Sequence, residues 1–368
     1  MKIDRIELRQ INLPFISPFR TAGWIEESNN SIIVKVCSEG LTGWGESSVS
    51  RFPHYSEETS SSVINMQQEV LAPMIMNREI INPGELHDIY KNIRGNRFAI
   101  AGLEFAVWDL WSRAKNISLK DFFGGKRERV PVGVSIGIPE NIKELLLTCK
   151  KYIEEGYGRL KIKIKPGWDK EPIKAVRKRW PDIMLQVDAN CSYTMKQIKL
   201  LESLDEFNLL MIEQPFMHDD LLYHSVLQKS IKTSVCLDET ITSPDKAAEA
   251  LIMDACRIIN IKPGRVGGLL NAVIIHHQCR KNKIPVWCGG MLETGIGRAV
   301  NVALASLPNF TLPGDISANS RYFKKDIVKN PFKLNSDGTL TVPNEPGHGA
   351  VVDEKYLDKV TVKKIVIG

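Results

Sequence analysis

The sequence predicts a closed parallel β/α barrel joined to a smaller region built from both ends of the chain. Short β-prone runs separated by helical stretches recur about every 25 residues from Val130 onward. Eight such runs occur, and acidic or basic residues close several of them. Eight strands alternating with helices favour a closed barrel, whose site lies where the strands end.

The N-terminal part of the chain has two different hydrophobic periods. Ile3–Leu8 and Ser31–Cys37 alternate like strands, whereas Ala99–Ala114 carries apolar residues at helical spacing and predicts a buried helix. Pro14–Asn30, between the two strands, predicts a loop that exposes Phe15, Phe19 and Trp24. This loop is either a disordered hairpin tip or a lid over the site. Thr361–Ile367, near the other end of the chain, alternates like an edge strand, so we expect the C-terminal segment to rejoin the N-terminal half.

The barrel prediction depends on the runs that follow. The eight predicted strands are Val130–Ile136, Arg159–Ile164, Met184–Asp188, Leu209–Glu213, Val235–Asp238, Arg257–Lys262, Ile284–Trp287 and Phe310–Asp315. A doubly wound open sheet is the alternative. No G-x-G-x-x-G motif follows the first run, so nothing there indicates nucleotide binding.

Composition narrows the class of protein. The chain has 368 residues, of which 43% are hydrophobic and 25% charged, as in ordinary globular proteins. No apolar run approaches the roughly 20 residues of a membrane helix. The seven cysteines are scattered without zinc-site spacing. We therefore expect a cytoplasmic protein with reduced thiols and no membrane partner.

The formal net charge of +6 is spread along the chain. Basic and aromatic residues do not interleave as in a nucleic-acid platform, so no nucleic-acid partner is expected. Most of these charges are interpreted as solvated surface, and only a weak part of the signal indicates attraction of an anionic small substrate.

Three carboxylates close consecutive predicted strands. Asp188 and Glu213 are 25 residues apart, and so are Glu213 and Asp238. A lone Asp at a strand end is usually a helix cap. Three at equivalent places would meet in one cavity and repel each other unless a cation lay among them. Oxygen-only ligation predicts Mg²⁺, for which Mn²⁺ could substitute.

Lysines precede and follow these acids. Lys161 and Lys163 are two residues apart, so they share one face of a strand, and Lys262 closes a strand across the barrel. A lysine is usually solvated surface, but the interior of a barrel strand is not surface. Neighbouring ammonium groups and a cation would lower a lysine pKa to roughly 7–8, where it acts as a general base. Lys161 would tune the pKa of Lys163, which would take the proton. Lys262 would face the opposite side of the substrate.

This arrangement predicts one reaction class. A divalent cation binds a substrate carboxylate, a lysine removes the proton on the adjacent carbon, and the metal and a facing ammonium stabilise the enediolate. Returning a proton from the other face gives racemisation, and losing a β-leaving group gives elimination.

With these motifs, the chain resembles the o-succinylbenzoate synthase / N-acylamino acid racemase family of the enolase superfamily, in its muconate-cycloisomerase-like group. The resemblance covers nearly the whole chain. It is carried by Pro18–Thr21, Gly43–Glu46, Lys161–Asp169, Asp188–Asn190, Glu213–Pro215, Asp238–Glu239, Lys262–Gly268, Gly289–Ala299 and Gly314–Ser317. Strand seven ends without the His of mandelate-racemase-like bases, and strand eight ends in a single Asp315 rather than the D-x-D of dipeptide epimerases.

The resemblance implies an α/β architecture. Residues 1–125 would form the N-terminal part of an α+β capping domain, residues 126–325 a (β/α)7β modified TIM barrel, and residues 326–368 a segment returning to the cap. It also implies that Asp188, Glu213 and Asp238 bind Mg²⁺ and that Lys163 and Lys262, assisted by Lys161, are catalytic. The implied substrate pocket is lined by Phe19, Ser50, Tyr55, Ser135, Asn190, Gly290, Met291 and Leu292. A homo-oligomer acting on a small carboxylate substrate is expected.

The implied activity is dehydration of 2-succinyl-6-hydroxy-2,4-cyclohexadiene-1-carboxylate to 2-succinylbenzoate, a menaquinone precursor, with racemisation of N-acylamino acids as a further activity. A dedicated N-acylamino acid racemase with the same residues is the first alternative. A non-catalytic metal- or ligand-binding barrel is the second, although a binding module needs no lysines on opposite faces.

Overall fold

The structure is a computed structural model that describes residues 1–368. The strands are β1 (Arg5–Ile11), β2 (Leu13–Arg20), β3 (Ile25–Asn29), β4 (Ile32–Ser38), β5 (Leu41–Ser47), β6 (Arg129–Pro131), β7 (Val134–Ile136), β8 (Arg159–Lys163), β9 (Met184–Asp188), β10 (Ile212–Glu213), β11 (Val235–Leu237), β12 (Ile258–Ile261), β13 (Val286–Cys288), β14 (Thr339–Thr341) and β15 (Thr361–Ile367).

The α-helices are α1 (Ser60–Met66), α2 (Ala72–Ile75), α3 (Glu85–Tyr90), α4 (Arg97–Ala114), α5 (Leu119–Phe123), α6 (Ile142–Glu154), α7 (Lys170–Arg179), α8 (Ile198–Ser203), α9 (Leu222–Ser230), α10 (Pro244–Ile252), α11 (Leu269–Lys281), α12 (Gly295–Ala305) and α13 (Glu354–Val360). A π turn at Gln67–Leu71 joins α1 to α2, and 3₁₀ turns lie at Met195–Gln197, Leu204–Phe207 and Asn319–Arg321. No helix is both long and apolar enough to span a bilayer.

Seven parallel strands form most of a barrel wall. They lie in chain order from β7 to β13, and helices connect them. The eighth predicted strand, Phe310–Asp315, is not a regular strand, because Pro313 lacks the N–H that a ladder requires. The same segment nevertheless closes the barrel: Gly133 N donates to Gly314 O at 2.8 Å, and Asp315 N donates to Cys288 O at 2.9 Å. The predicted (β/α)7β barrel is confirmed.

The two ends of the chain share one antiparallel sheet, in the order β15-β1-β4-β5. The predicted edge strand at Thr361–Ile367 pairs with β1, which explains how the C-terminal segment returns to the N-terminal half. Within the same segment, β14 pairs instead with β6 at the start of the barrel. The domain boundaries at residues 125 and 325 stay a prediction.

Helix α4 covers the capping sheet at very short range. Its contact with β5 requires glycine, since a Cβ at Gly43 would lie 2.1 Å from Ala106 O and one at Gly45 would lie 2.1 Å from Gly102 O. Between these glycines and the barrel, Glu46 accepts from Thr294 Oγ1 at 2.7 Å and from Gly297 N at 2.9 Å, at the start of α12. These bonds tie the capping sheet to the barrel.

The predicted lid is a hairpin rather than a loop. β2 and β3 pair through Phe19 with Glu26 and through Arg20 with Ile25, so Phe19 is buried and not exposed as expected. Pro18 and Gly23 interrupt the alternating pattern, which made the pairing invisible in the sequence. The Trp24 ring stacks on His54 of the neighbouring loop, with centroids 5.7 Å apart, so two cap segments lie together above the barrel.

Candidate active site at the strand ends

Parallel pairing brings the predicted acids and lysines side by side. Lys163 at the end of β8 lies opposite Asp188 at the end of β9, and Asp188 lies opposite Glu213 at the end of β10. All six predicted catalytic and metal-binding residues are buried. The equal sequence spacing therefore corresponds to equal depth in the barrel, at the carboxyl ends of its strands.

Lys161 lies at the centre of a carboxylate cluster. Its Nζ is 2.9 Å from Asp188 Oδ2, 2.8 Å from Glu213 Oε2 and 2.9 Å from Asp315 Oδ2. The Trp287 ring lies below it, with the centroid 5.0 Å from the ammonium nitrogen. These contacts surround the Lys161 ammonium with three carboxylates and an aromatic ring, and its supporting role stays a prediction.

Lys163 lies at the carboxyl end of β8, two residues beyond Lys161. Its Nζ donates to Asp188 Oδ2 and to Asn190 Oδ1, each at 2.7 Å. Asn190, predicted to line the pocket, thus contacts the predicted base directly.

Lys262 lies four strands away, on the opposite wall. Its Nζ donates to Asp238 Oδ2 at 2.9 Å and to the Tyr55 hydroxyl at 3.0 Å. Arg265 also contacts both Asp238 and Tyr55. The two predicted catalytic lysines therefore flank the carboxylates from opposite sides, as expected for groups that address two faces of one substrate.

Burial and mutual repulsion perturb the acids. Burial, with Asp188 beside it, raises the pKa of Glu213 to about 7. Burial, with Asp238 and Asp188 nearby, raises the pKa of Glu239 to about 8. Against the effect of burial, Lys161 and Lys163 lower the pKa of Asp188, and Lys262 and Arg265 lower the pKa of Asp238.

The pKa of Lys161 shifts in the direction opposite to that expected from the sequence, and the pKa of Lys262 rises as well. Burial acts to lower the pKa of Lys161, but Asp188, Asp315 and Glu213 together raise it well above its usual value. Asp238 does the same to the pKa of Lys262, against the effect of burial. The sequence-based expectation considered ammonium groups and a cation but not the direct contact of each lysine with a carboxylate. A divalent cation among these oxygens would reverse the sign of the local field.

The chemistry of the donor set fits a hard divalent cation. Asp188, Glu213 and Asp238 supply only carboxylate oxygens, and no imidazole or thiolate lies among them. No three acidic, His or Cys side chains converge on one point in ligand geometry. Their oxygens are instead bound to Lys161, Lys163, Lys262 and Arg265. Cation binding therefore requires the acids to turn away from these groups by side-chain rotation.

One pocket lies above this cluster and contains every predicted substrate residue. Its lining includes Phe19, Ser50, Tyr55, Ser135, Asn190, Gly290, Met291 and Leu292, together with Lys161, Lys163 and Lys262. The hairpin of β2 and β3 supplies one wall and the barrel loops supply the others.

Five further residues of the pocket were not among the predicted site residues: Thr21, Trp24, Glu26, Asp315 and Tyr322. Asp315 closes the eighth predicted run and follows the same strand-end rule as the other acids, so the sequence carried the signal for it. Glu239, which contacts Asn190, lies two residues after the end of β11, and Arg265, which contacts Asp238, lies four residues after the end of β12. Nothing local distinguishes them from surface charges.

Comparisons with known proteins agree with this geometry. Residues 5–124 match the family described as Mandelate racemase / muconate lactonizing enzyme, N-terminal domain, and residues 144–356 match Enolase C-terminal domain-like. The chain is 44% identical over 364 residues to an o-succinylbenzoate synthase of Bacillus subtilis (strain 168), covering 99% of this chain and 98% of the relative. It is 45% identical over 369 residues to an N-succinylamino acid racemase of Amycolatopsis sp, covering 100% of both.

A solved structure is also very similar. A member of the enolase superfamily from Listeria innocua superposes with a TM-score of 0.96 at 42% identity, covering 100% of this chain and 99% of that one. Matches over both parts of the chain, at this identity, show common descent of the whole chain. The chain belongs to the enolase superfamily, in the family that contains the o-succinylbenzoate synthases and the N-succinylamino acid racemases.

Proposed function

We propose that the protein is an o-succinylbenzoate synthase that dehydrates 2-succinyl-6-hydroxy-2,4-cyclohexadiene-1-carboxylate to 2-succinylbenzoate, and that it also racemises N-acylamino acids. The single observation that carries the chemistry is the pair Lys163 and Lys262, which contact the carboxylate cluster from opposite walls of one pocket. Several relatives with 43–44% identity over nearly the whole chain are o-succinylbenzoate synthases, which supports the choice of reaction.

A divalent metal belongs to this proposal. Members of the enolase superfamily depend on a divalent metal. Here Asp188, Glu213 and Asp238 would hold Mg²⁺, because their carboxylate oxygens are hard donors that lie close together at the ends of neighbouring strands. When bound, the metal neutralises a substrate carboxylate and makes the adjacent carbon more acidic.

The protein's own groups divide the remaining work. Lys163 takes the proton from the carbon next to the substrate carboxylate, and the electron pair left behind forms an enediolate. The Lys262 ammonium, on the other face, stabilises the negative charge. The carbon–oxygen bond to the ring hydroxyl then breaks, and the departing hydroxide takes the proton held by the Lys163 ammonium and leaves as water, which returns Lys163 to its neutral form. In racemisation no bond to oxygen breaks, and the second lysine delivers a proton to the opposite face.

The pocket has to open for this substrate. It encloses about 80 Å³ of free space, well below the roughly 300 Å³ or more of typical ligand pockets. The β2–β3 hairpin carries Phe19, Thr21 and Trp24 over the site, so it is the segment that must shift to admit a ring with a succinyl chain.

A dedicated N-acylamino acid racemase is the second candidate. The 45% identity to the Amycolatopsis racemase favours it, and the same lysines and acids would serve it. The synthase has to orient the β-hydroxyl of its substrate so that it can leave, and a dedicated racemase does not. The residues that contact the lysines are the same for both candidates.

The deciding experiment compares two substrate types with one preparation. The Mg²⁺-loaded protein is incubated in D₂O with the cyclohexadiene substrate and, separately, with N-succinylphenylalanine. Dehydration is followed by absorbance, and exchange of the α-proton by NMR. We expect both reactions. Exchange without dehydration would identify a dedicated racemase, and neither reaction would leave only a binding role.

We also propose that copies of the chain associate. Helix α9 and the loop before it expose an apolar group of residues, Met217, Leu222, Tyr223 and Val226, each more than two-fifths exposed. Exposed apolar clusters commonly mark protein contacts. Light scattering of the protein and of Tyr223→Glu tests this, since a purely monomeric wild-type protein would contradict it.

A further inference from the structure

Two hydrogen bonds link the predicted base to a carboxylate behind it. Asn190 Oδ1 accepts from Lys163 Nζ at 2.7 Å. The other end of the same amide, Asn190 Nδ2, donates to Glu239 Oε1 at 3.0 Å. Glu239 therefore contacts Lys163 only through the Asn190 side chain.

The orientation of this amide decides what Lys163 meets. With the carbonyl oxygen towards Nζ, the amide attracts the ammonium group. Rotated by half a turn, it would present its NH₂ group to an ammonium, which also only donates. Glu239 Oε1 favours the first orientation, because it accepts a hydrogen bond from Nδ2.

The backbone leaves this choice to the side chains. Asn190 has a φ of 41°, in the left-handed region, and its N–H donates to Asp188 Oδ1 at 2.9 Å. The main chain is thus anchored to the end of β9, while the amide plane at the tip can still rotate. No other protein group bonds Asn190 Nδ2, so Glu239 alone supplies the acceptor.

Glu239 has no other hydrogen-bonding task. The residue is 7% exposed, its Oε1 bonds Asn190, and its Oε2 is buried with no hydrogen-bond partner. Burying a carboxylate with so few partners is costly. The hydrogen bond from Asn190 Nδ2 is the one polar contact that explains why a carboxylate is buried at this position.

We propose that Glu239 is a positioning residue for Lys163: it holds the Asn190 amide so that the carbonyl oxygen aims the lysine at one face of the substrate. The proposal rests on the proposed function, in which Lys163 and Lys262 act on opposite faces. Lys262 is held by Asp238 and Tyr55 instead. Loss of Glu239 should therefore slow proton transfer on the Lys163 face and spare the Lys262 face.

The test measures each face separately. Exchange of the α-proton of D- and of L-N-succinylphenylalanine is followed by NMR in D₂O at saturating Mg²⁺. Lys262→Ala identifies the enantiomer served by Lys163, because only that enantiomer still exchanges. Glu239→Met removes the acceptor at similar size. We expect it to slow exchange of that enantiomer by about 10- to 100-fold, a typical cost of losing an orienting partner, and the other enantiomer by less than about threefold.

Rescue and comparison variants separate positioning from general damage. Glu239→Gln keeps an acceptor oxygen for Asn190 Nδ2 and should restore most of the lost rate. Asn260→Leu removes a buried amide that donates to Glu213 Oε1 at 3.0 Å, so it should slow both enantiomers together. If Glu239→Met does not fold, Asn190→Leu cuts the same chain at its middle and should give the same enantiomer selectivity.

Several results would overturn the proposal. They are equal slowing of both enantiomers by Glu239→Met, unchanged rates, or slowing that disappears when the Mg²⁺ concentration is raised, which would make Glu239 part of the metal site. Wild-type protein that exchanges neither enantiomer would overturn the proposed function itself, and this proposal with it.

Discussion

The Tyr55 hydroxyl joins the cap to both the predicted metal site and a predicted catalytic lysine. It donates to Asp238 Oδ1 at 3.0 Å and accepts from Lys262 Nζ and from Arg265 Nη1, each at 3.0 Å. Tyr55→Phe removes this one oxygen and leaves the ring, whose centroid is 4.3 Å from the Lys262 nitrogen. The cation–π contact and the packing against Phe98 should therefore persist.

The size of the effect follows from the charges of the three partners. A hydrogen bond to a charged group contributes about 1.5–3 kcal/mol. Since about 1.4 kcal/mol corresponds to a factor of ten, loss of the bond to Lys262 should lower kcat/KM by about 10- to 150-fold if it is fully expressed in the transition state. Burial raises the pKa of Tyr55 well above its usual value, so the hydroxyl stays protonated throughout the assay range.

The assay is again exchange of the α-proton of each enantiomer of N-succinylphenylalanine. We expect the larger loss for the enantiomer served by Lys262, because Lys163 does not contact Tyr55. Tyr90→Phe is the matched control: its hydroxyl donates to Leu71 O at 3.0 Å inside the cap, far from the pocket. That variant should lose stability without an enantiomer-selective effect.

Two outcomes would refute this reasoning. Tyr55→Phe with wild-type exchange of both enantiomers would mean that the hydroxyl does not position Lys262. A loss confined to the Lys163-served enantiomer would mean that the faces are assigned the wrong way round.

Three further predictions concern the base, the metal and the cap. Lys163→Ala should lower dehydration by about 10²- to 10⁴-fold, the usual contribution of a general base; retained turnover measured by absorbance would remove that assignment. Removing divalent metal with EDTA should abolish turnover, and added Mg²⁺ should restore it. Asp238→Asn should raise the Mg²⁺ concentration needed for half-maximal rate. Activity unaffected by EDTA would exclude the metal site. Burial raises the pKa of Glu104 to about 7, so the folded state holds its proton more tightly than the unfolded state. The stability contributed by Glu104 is present below its ordinary pKa of 4.5 and is lost as the pH rises towards 7; urea unfolding at several pH values should show a flatter profile for Glu104→Gln, and identical slopes would contradict the raised pKa.

Much of the fold could be predicted because its pattern is local. Buried parallel strands are short apolar runs, and the connecting helices recur at a nearly constant interval, so seven of the eight barrel strands overlap their predicted runs. The eighth was harder because Pro313 and Gly314 remove regular pairing, although the segment still closes the barrel. The lid was predicted wrongly as a loop, because Pro18 and Gly23 interrupt a two-stranded ribbon whose register depends on its partner strand.

The residues of the candidate site could be predicted where charged side chains recur at the spacing of the β/α repeat. Asp188 and Glu213 each end a strand, Asp238 directly follows one, and one repeat separates them, so their convergence follows from the barrel itself. Tyr55 lies 183 residues from Asp238 in the chain. No periodicity links this pair, since only the packing of the cap on the barrel brings Tyr55 to the site.

By itself, the sequence determined the type of fold and the identity of the reacting groups, because side-chain chemistry and strand period are properties of the local chain. Only the tertiary structure decided which groups touch: it surrounded Lys161 with three carboxylates, gave Lys163 an amide backed by Glu239, and gave Lys262 a tyrosine from the cap. The carboxylate contacts raise the pKa of Lys161 and of Lys262 against the effect of burial, because electrostatic energy depends on distances of a few ångströms that the order of residues does not specify.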